Sequence, residues 1–327
     1  MFYFTTNKRL MKQITDTVFM VRPVQFRLNE QTAVNNYYQD QEAHQRIKNE
    51  VANNQAQEEF DAFTTALKNK GINVIVISDD EKNDTPDSIF PNNWISTHQN
   101  GDIALYPMFA ENRRLERRPE VLDTLEKEGF SIENIIDYTS AEDEGFFLEG
   151  TGSLLLDRIN KKAYCSISPR ADEELFIEFC EDFEYTPVIF TAYQTVEDDR
   201  LPIYHTNVMM ALGENYAVIC LDCIDDKTER KNVIKHLKED GKELIAITED
   251  QVNSFAGNMM QVHNQSGNRI LVMSDQAYQS LTVEQINKLE KHNEILHPTI
   301  STIETLGGGS VRCMMAEVFL PKSIIKK

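Results

Sequence analysis

The sequence predicts an α/β fold made of repeated strand–strand–helix–strand units, each about sixty residues long. Short runs rich in β-branched and apolar residues outnumber the segments with helical spacing. The ratio of strands to helices excludes a pure sheet sandwich and a pure helix bundle. The order of the elements also differs from a doubly wound sheet, in which one helix follows each strand. Repeats of this size can close into a ring around a central site.

The elements follow one another without any tract that resembles a linker. The predicted strands cover residues 18–21, 72–77, 103–106, 153–156, 188–191, 208–212, 217–221, 244–247, 259–263 and 270–273. The predicted helices cover residues 40–68, 115–128, 172–183, 226–239 and 282–292, where apolar residues recur at spacings of three and four. With only 13 Gly and 10 Pro in the chain, we expect one domain over residues 11–327. Residues 1–10 carry little pattern, so we expect a non-essential extension and a natural start at Met11.

The composition excludes several classes of partner. A net charge of −20 would repel nucleic acid and an anionic membrane surface. No apolar run approaches the ~20 residues that span a bilayer, and the N-terminus lacks the order of a signal peptide. Five cysteines without framework spacing indicate a reducing cytoplasm. We therefore expect a cytoplasmic protein with a small-molecule partner, and the sequence leaves homo-oligomerisation open.

A glycine run near the end of the chain marks a candidate nucleophile. Gly307, Gly308 and Gly309 precede Cys313, and consecutive glycines are expected where the backbone takes positive φ or approaches a neighbour closely. We expect Cys313 to be exposed at this turn, where the adjacent Arg312 would favour a thiolate. The other four cysteines fit buried strands or a helix face, namely Cys165, Cys180, Cys220 and Cys223.

A cysteine nucleophile needs a base, and the base needs an orienting group. Among seven histidines, His205 stands between polar neighbours at the entrance to an apolar strand, where sheets present catalytic groups. Glu149 follows an apolar run and precedes Gly150 and Gly152. Since a buried carboxylate is unfavourable unless it is paired, a functional role is the better explanation for Glu149.

These residues carry a resemblance to a known family. The motifs are Pro86-Asp87-Ser88-Ile89-Phe90, Leu148-Glu149-Gly150-Thr151-Gly152, His205 and the glycine run that ends in Cys313. In this order they resemble the guanidino-group-modifying superfamily, the penteins or amidinotransferases. Phe90-Pro91-Asn92-Asn93-Trp94 and Thr32-Ala33-Val34-Asn35-Asn36 make the chain similar to dimethylargininases and, more closely, to citrulline-utilisation hydrolases.

The resemblance implies a pentein five-fold ββαβ propeller with the site in its central channel. It implies Cys313 as nucleophile, His205 as general acid and base, and Glu149 as the residue that orients His205. Asp87 matches a residue that holds the distal end or α-amino group of the substrate in relatives. Arg113 and Arg170 match arginines that clamp the α-carboxylate. Neither a metal nor an organic cofactor is implied.

The sequence departs from arginine-processing relatives at two positions. They place an aspartate against the guanidinium where this chain has Asn93, preceded by Asn92, and arginine deiminases carry another where this chain has Asn207. A guanidinium taken from water needs a compensating charge, worth roughly 4 kcal/mol for a pair at 4 Å and an effective dielectric of ~20. A neutral ureido group needs only hydrogen bonds, which an amide provides. The sequence therefore favours hydrolysis of citrulline to ornithine through a covalent Cys313 intermediate.

Two alternatives stay open at the level of the sequence. The first is hydrolysis of arginine or methylarginine, or amidino transfer, with Asp87, Asp143 or another acid supplying the missing charge. The second is a pentein that serves only as a binding scaffold, against which the joint presence of Cys313, His205 and Glu149 argues.

Overall fold

Five three-stranded sheets repeat along the chain in the computed structural model, which describes residues 11–323. The strands are β1 (Thr17–Arg22), β2 (Asn73–Ser78), β3 (Ile95–Thr97), β4 (Asp102–Leu105), β5 (Asn134–Asp137), β6 (Leu154–Asp157), β7 (Lys162–Ser166), β8 (Thr186–Phe190), β9 (Tyr193–Val196), β10 (Asp199–Pro202), β11 (Met210–Leu212), β12 (Tyr216–Ile219), β13 (Glu243–Ala246), β14 (Met260–His263), β15 (Arg269–Val272), β16 (Glu294–Leu296) and β17 (Ala316–Glu317). The predicted extension, residues 1–10, lies outside the described residues.

The helices separate these strands. They are α1 (Gln41–Arg46), α2 (Asn49–Asn69), α3 (Glu111–Arg114), α4 (Pro119–Lys127), α5 (Gly150–Ser153), α6 (Glu173–Asp182), α7 (Thr206–Met209), α8 (Lys227–Glu239), α9 (Glu249–Asn253), α10 (Asp275–Ser280), α11 (Val283–Glu290), α12 (Ser301–Gly307) and α13 (Val311–Met314). Short 3-10 turns cover Pro91–Asn93, Thr139–Glu144 and Leu221–Cys223.

Each sheet has the same internal order. Its first strand pairs antiparallel with the second, and the second pairs parallel with the third across a helix: β3-β4-α4-β5, β6-β7-α6-β8, β11-β12-α8-β13 and β14-β15-α11-β16. The remaining sheet takes its first strand from the end of the chain, since β17 pairs with β1 and β1 runs parallel to β2 across α2. The predicted repeat is thereby confirmed, and the two ends of the chain close one unit together. A separate hairpin, β9-β10, precedes the fourth unit.

Amphipathic helices cover the outer side of buried central strands. All four residues of β12 are buried, which is typical of a strand covered on both faces. Helix α8 turns Val233 and Leu237 into the core, and Asp226 caps it by accepting from the backbone N–H groups of Thr228 and Glu229. The core is divided into four apolar clusters.

The predicted elements differ from the observed ones mainly where strands are short. Strands β3, β5, β9, β10, β16 and β17 were not predicted, because they have two to four residues and include polar ones. The predicted helix over residues 40–68 is interrupted between Arg46 and Asn49, which yields α1 and α2. Within the described residues, no helix combines the length and apolar character that a membrane crossing requires.

A buried ion pair joins two neighbouring units. Lys242 Nζ lies 3.0 Å from Asp157 Oδ2, and both side chains are fully buried. Lys242 also donates to the carbonyl groups of Gly213 and Glu214, while Asp157 accepts from Asn160. This pairing fixes the start of β13 against the end of β6.

We predict that Asp157→Ala lowers the free energy of unfolding by about 3–5 kcal/mol, because it leaves a buried ammonium group without its counter-charge. Urea denaturation measures this change. Glu239→Ala is the control: it removes the exposed Lys235–Glu239 pair and should cost less than about 0.5 kcal/mol. Equal losses in the two variants would contradict the role given to the buried pair.

Candidate active site

The proposed nucleophile lies on a one-turn helix at the centre of the ring. Cys313 is part of α13, directly before β17, and its backbone N–H donates to Ser310 O at 3.0 Å. Gly308 has φ of +61°, and a β-carbon there would collide with Asn36 and Gln39, so this position requires glycine. The side chain of Cys313 is only 3% exposed. The expectation of an exposed cysteine was therefore wrong. Cys313 faces a small cavity that Asn36 and Phe90 also line, and not the surface of the protein.

The sulfur of Cys313 is surrounded by amide groups rather than by a cation. Asn258 Nδ2 donates to Sγ at 3.2 Å and Asn207 Nδ2 at 3.5 Å. The guanidinium of Arg312 instead donates to Met315 O and to the carboxylate of Glu317, both at 3.0 Å. The expectation that Arg312 favours the thiolate is therefore not met by its position.

His205 and Glu149 form a buried pair. Each directly precedes a one-turn helix, α7 and α5, that leads into the first strand of a unit. His205 Nε2 lies 2.8 Å from Glu149 Oε2, and both side chains are almost fully buried. Glu149 Oε1 accepts from the backbone N–H of Phe109 at 3.0 Å. The carboxylate therefore fixes the orientation of the imidazole ring.

The charge states of this pair follow from burial and two arginines. Burial favours the neutral acid of Glu149, but Arg170 at 3.5 Å, the bond from His205 and Arg113 at 4.0 Å outweigh it and lower its pKa to about 2. Burial lowers the pKa of His205 to about 4, although Glu149 opposes this shift. With Glu149 ionised, Nε2 of the neutral imidazole carries the proton, and Nδ1 is left as the basic nitrogen.

Asn93 is held by an arginine in one orientation. Its Oδ1 accepts from Arg113 Nη1 at 2.8 Å, and its Nδ2 is buried without a partner among the described residues. A β-carbon on Gly152 would collide with that Nδ2 and lie 2.7 Å from His205 Nδ1. The free amide group of Asn93 is thus close to the basic nitrogen of His205.

Arg113 itself is largely occupied by protein groups. Its Nε and Nη2 donate to Glu116 at 2.9 and 3.0 Å, and Nη2 also donates to Phe90 O at 3.1 Å. Arg170 is similarly engaged: Nε donates to Asn35 Oδ1 at 2.9 Å and Nη2 to Thr32 O at 2.9 Å. Only an N–H group on each Nη1 is left for a further partner.

Asp87 presents one free carboxylate oxygen. Its Oδ2 accepts from Asn29 Nδ2 at 2.9 Å and Thr32 Oγ1 at 3.1 Å, whereas Oδ1 is buried without a partner. Burial raises the pKa of Asp87, against the effect of Arg113 and of these hydrogen bonds. A cationic group beside Oδ1 would relieve this unfavourable burial of charge.

A single cavity brings most of the predicted residues together. It is lined by Asn36, Asp87, Phe90, Asn93, Arg113, Arg170, Tyr204, His205, Gly307, Gly309 and Cys313. Glu149 and Asn207 do not line the cavity themselves. Glu149 is hydrogen-bonded to His205, and Asn207 donates to the sulfur of Cys313. Asn92 is turned away: its Nδ2 donates to Thr151 Oγ1. Asp143, named as an alternative acid, lies in the exposed turn Thr139–Glu144.

The sequence did not single out Asn258, Glu116 or Tyr204. Asn258 follows Gly257 at the entrance to β14, a position comparable to that of Glu149 before β6 and His205 before β11. The repeat of the units was the signal that could have found it. Within residues 11–323, no group of His, Cys, Asp or Glu side chains is arranged to hold a metal ion.

Comparisons with known proteins identify the family and the fold of the chain. The model of the family "N,N dimethylarginine dimethylhydrolase, eukaryotic" matches residues 22–320. No curated protein matches the sequence significantly. ArgZ, an arginine dihydrolase from the ornithine–ammonia cycle in cyanobacteria, is 15% identical with a TM-score of 0.68, over 94% of this chain and 41% of ArgZ. Unliganded AgrE is 16% identical with a TM-score of 0.70, over 94% of this chain and 40% of AgrE.

A third solved structure has about the same length as this chain. It is a dimethylarginine dimethylaminohydrolase variant in an adduct with S-methyl-L-thiocitrulline, 13% identical with a TM-score of 0.62, over 93% of this chain and 99% of that one. The chain spans about two fifths of ArgZ and AgrE. These likenesses confirm the predicted pentein fold.

We predict that the imidazole of His205 titrates near pH 4 in the folded protein, against 6.5 for an ordinary histidine. Nitrogen-detected NMR of the histidine side chains measures this, and the chain in denaturing urea supplies the reference. Between pH 6.5 and 4 the histidine is protonated in the unfolded chain but still neutral in the folded protein. This group therefore lowers the stability of the fold as pH falls from 6.5 towards 4. Glu149→Gln should lower the midpoint further, since the carboxylate raises it. A His205 midpoint near 6.5 in the folded protein would contradict this description.

Proposed function

Because the chain belongs to the N,N-dimethylarginine dimethylhydrolase family, we propose that it is a cysteine-dependent hydrolase that converts citrulline to ornithine. Cys313 is the nucleophile, His205 the general acid and base, and Glu149 the residue that orients His205. The reaction class requires neither a metal nor an organic cofactor.

The orientation of Asn93 is the observation that carries the choice of citrulline. Arg113 can only donate hydrogen bonds, so the atom of Asn93 that it contacts must be the carbonyl oxygen. The side chain therefore offers only N–H donors to the cavity. A ureido carbonyl oxygen accepts from such a donor.

A guanidinium group fits this donor poorly. All its nitrogens present N–H groups, and none accepts a hydrogen bond. Opposite Asn93 Nδ2 it would place donor against donor, without a negative charge at that point. The amide of Asn93 therefore favours the neutral ureido group and disfavours the guanidinium.

The remaining polar groups suit the amino-acid end of the substrate. Asp87 Oδ1 is unpartnered, and the α-ammonium group would supply a donor and a positive charge beside it, in addition to Arg113 at 4.0 Å from the other oxygen. The Nη1 groups of Arg113 and Arg170 each offer one N–H to the α-carboxylate. Since Arg113 already binds Glu116 and Asn93, we assign it mainly to holding Asn93, and we give Arg170 the larger share of carboxylate binding.

The first half of the reaction forms a covalent intermediate. His205 Nδ1 takes the thiol proton of Cys313, and the sulfur attacks the ureido carbon. Asn93 Nδ2 donates to the oxygen as negative charge develops on it. When the tetrahedral intermediate collapses, the bond to the δ-nitrogen breaks and His205 returns the proton to that nitrogen. Ornithine leaves, and a carbamoyl group stays on Cys313.

Water completes the reaction. His205 takes a proton from the water that attacks the carbamoyl carbon, and the carbon–sulfur bond breaks. The proton returns to the sulfur of Cys313. The carbamate that is released falls apart to ammonia and carbon dioxide, and the enzyme regains its starting state.

Hydrolysis of arginine or a methylated arginine is the second candidate. Two of the similar solved proteins, an arginine dihydrolase and a dimethylarginine dimethylaminohydrolase, favour it. In this reading Asp87, the carboxylate on the cavity wall, would take the guanidinium. Release of ornithine from citrulline, compared with release of citrulline or ornithine from arginine and dimethylarginine, separates the two. A purified, folded chain that turns over none of them would support the binding scaffold.

We predict that Asn93→Asp lowers the ratio of kcat/KM for citrulline to that for arginine by at least about tenfold. The aspartate keeps the acceptor for Arg113 and replaces the free N–H group by an oxygen. The new ion pair with a guanidinium is worth roughly 4 kcal/mol at 4 Å, less the desolvation of the carboxylate. Steady-state kinetics with both substrates give the ratio.

Asn92→Asp is the matched control, since it adds the same charge one residue away on a side chain that faces Thr151. Its ratio of kcat/KM values should stay near that of the wild type. If the two variants shift the ratio equally, Asn93 does not face the reacting group. A wild type that prefers arginine would overturn the choice of citrulline.

A further inference from the structure

We propose that Asn258 is a further catalytic residue, whose side-chain amide stabilises the thiolate of Cys313 by donating a hydrogen bond to its sulfur. This inference rests on the proposed role of Cys313 as nucleophile. It does not depend on which substrate the enzyme takes.

The orientation of the Asn258 amide is determined by its partners. Its Oδ1 accepts from the backbone N–H of Arg312 at 3.0 Å. Its Nδ2 donates to Asn207 O at 3.1 Å and to Cys313 Sγ at 3.2 Å. Each hydrogen of the amide has an acceptor, so exchange of its oxygen and nitrogen would break all three contacts. The N–H directed at the sulfur is therefore a fixed feature of the site.

The fold places Asn258 at the position from which the other units supply their site residues. Asn93, Glu149, His205 and Cys313 each lie in the segment just before the first strand of a unit, that is β3, β6, β11 and β17. Asn258 lies in the same segment before β14, the first strand of the remaining unit. All five units thus send one polar or nucleophilic residue to the centre.

Close packing holds this segment against the helix that follows His205. A β-carbon on Gly257 would collide with Val208 O and lie 2.8 Å from the α-carbon of Met209. Only glycine allows the turn to approach α7 so closely. Asn258 is 1% exposed, so its amide is an ordered, desolvated donor.

The chemistry at the sulfur calls for such a donor. Arg312 is bound to Met315 and Glu317, so the N–H groups that reach Sγ are those of Asn258 and Asn207. A hydrogen bond to an ionised acceptor is roughly twice as strong as one to a neutral acceptor. The amide therefore stabilises the thiolate more than the thiol, and this stabilisation persists as the sulfur leaves the covalent intermediate.

The pH profile of alkylation tests this role directly. Iodoacetamide reacts with the thiolate, and mass spectrometry of the peptide that contains Cys313 gives its rate at each pH. In Asn258→Ala the profile should move to higher pH, with labelling about tenfold slower below the midpoint. The rate at high pH, where all of the sulfur is ionised, should be equal to that of the wild type or up to about threefold higher, because a thiolate without this hydrogen bond is more nucleophilic. Asn258→Asp should shift the profile further, because it places a negative charge beside the thiolate.

The variants leave the other titratable groups near Cys313 unmutated, so these groups contribute to the pH profile of the wild type and of each variant. Those that line the same cavity are Asp87, Arg113, Arg170, Tyr204 and His205. Asn293→Ala is the matched control for loss of a buried amide, since Asn293 binds Gln261 and Tyr216 instead of site residues. Its profile should coincide with that of the wild type.

A purely structural role predicts a different result. Loosening of the turn would change access, so the rate at high pH would rise or fall while the midpoint stayed the same. An unchanged midpoint in Asn258→Ala would overturn the proposal, whatever its high-pH rate. If that variant does not fold, Asn258→Leu, which keeps the volume of the side chain but has no donor, provides the same comparison. Because no amino-acid substrate is present, failure here is distinct from failure of the citrulline assignment.

Discussion

The buried carboxylate of Glu149 is the interaction on which the rest of the site depends. It lies 2.8 Å from His205, 3.5 Å from Arg170 and 4.0 Å from Arg113. An unpaired charge at such a depth would be strongly unfavourable. The carboxylate therefore supplies counter-charge to Arg170 and adds to that of Arg113, which is paired more closely with Glu116, and both arginines keep Glu149 ionised in return. One of them orients Asn93, and the other holds Asn35 next to the cavity-lining Asn36. A single charge therefore links His205 to the groups that we propose select the substrate.

Two asparagines present a hydrogen-bond donor in the same way. In Asn93 and Asn258 a protein N–H group occupies the carbonyl oxygen, which leaves an N–H group directed at the cavity or at the sulfur. Neutral donors suit a neutral substrate, because they assist a developing oxyanion or thiolate without attracting a cation. The cavity has room for about 10 Å³, close to one water molecule.

The sequence predicted the repeating unit because β-branched runs and helical spacing are local properties. It missed short strands such as β5 and β17, since two to four partly polar residues carry little signal and pair only through long-range contacts. Cys313, His205 and Glu149 could be selected from motifs. The burial of Cys313, the partners of Arg312 and the contact between Asn258 and the sulfur depend on residues far apart in the chain. The extent of the domain, residues 11–327, stays a prediction.

The carbamoyl group on Cys313 provides the most direct test of the account. The enzyme should be mixed with citrulline labelled at the ureido carbon, quenched with acid within one turnover and digested for mass spectrometry. We predict one labelled carbamoyl group on the peptide that contains Cys313, and none in Cys313→Ala. Arginine labelled at the guanidino carbon should give no comparable adduct. An adduct from arginine alone, or rapid ornithine release from citrulline by Cys313→Ala, would contradict the account.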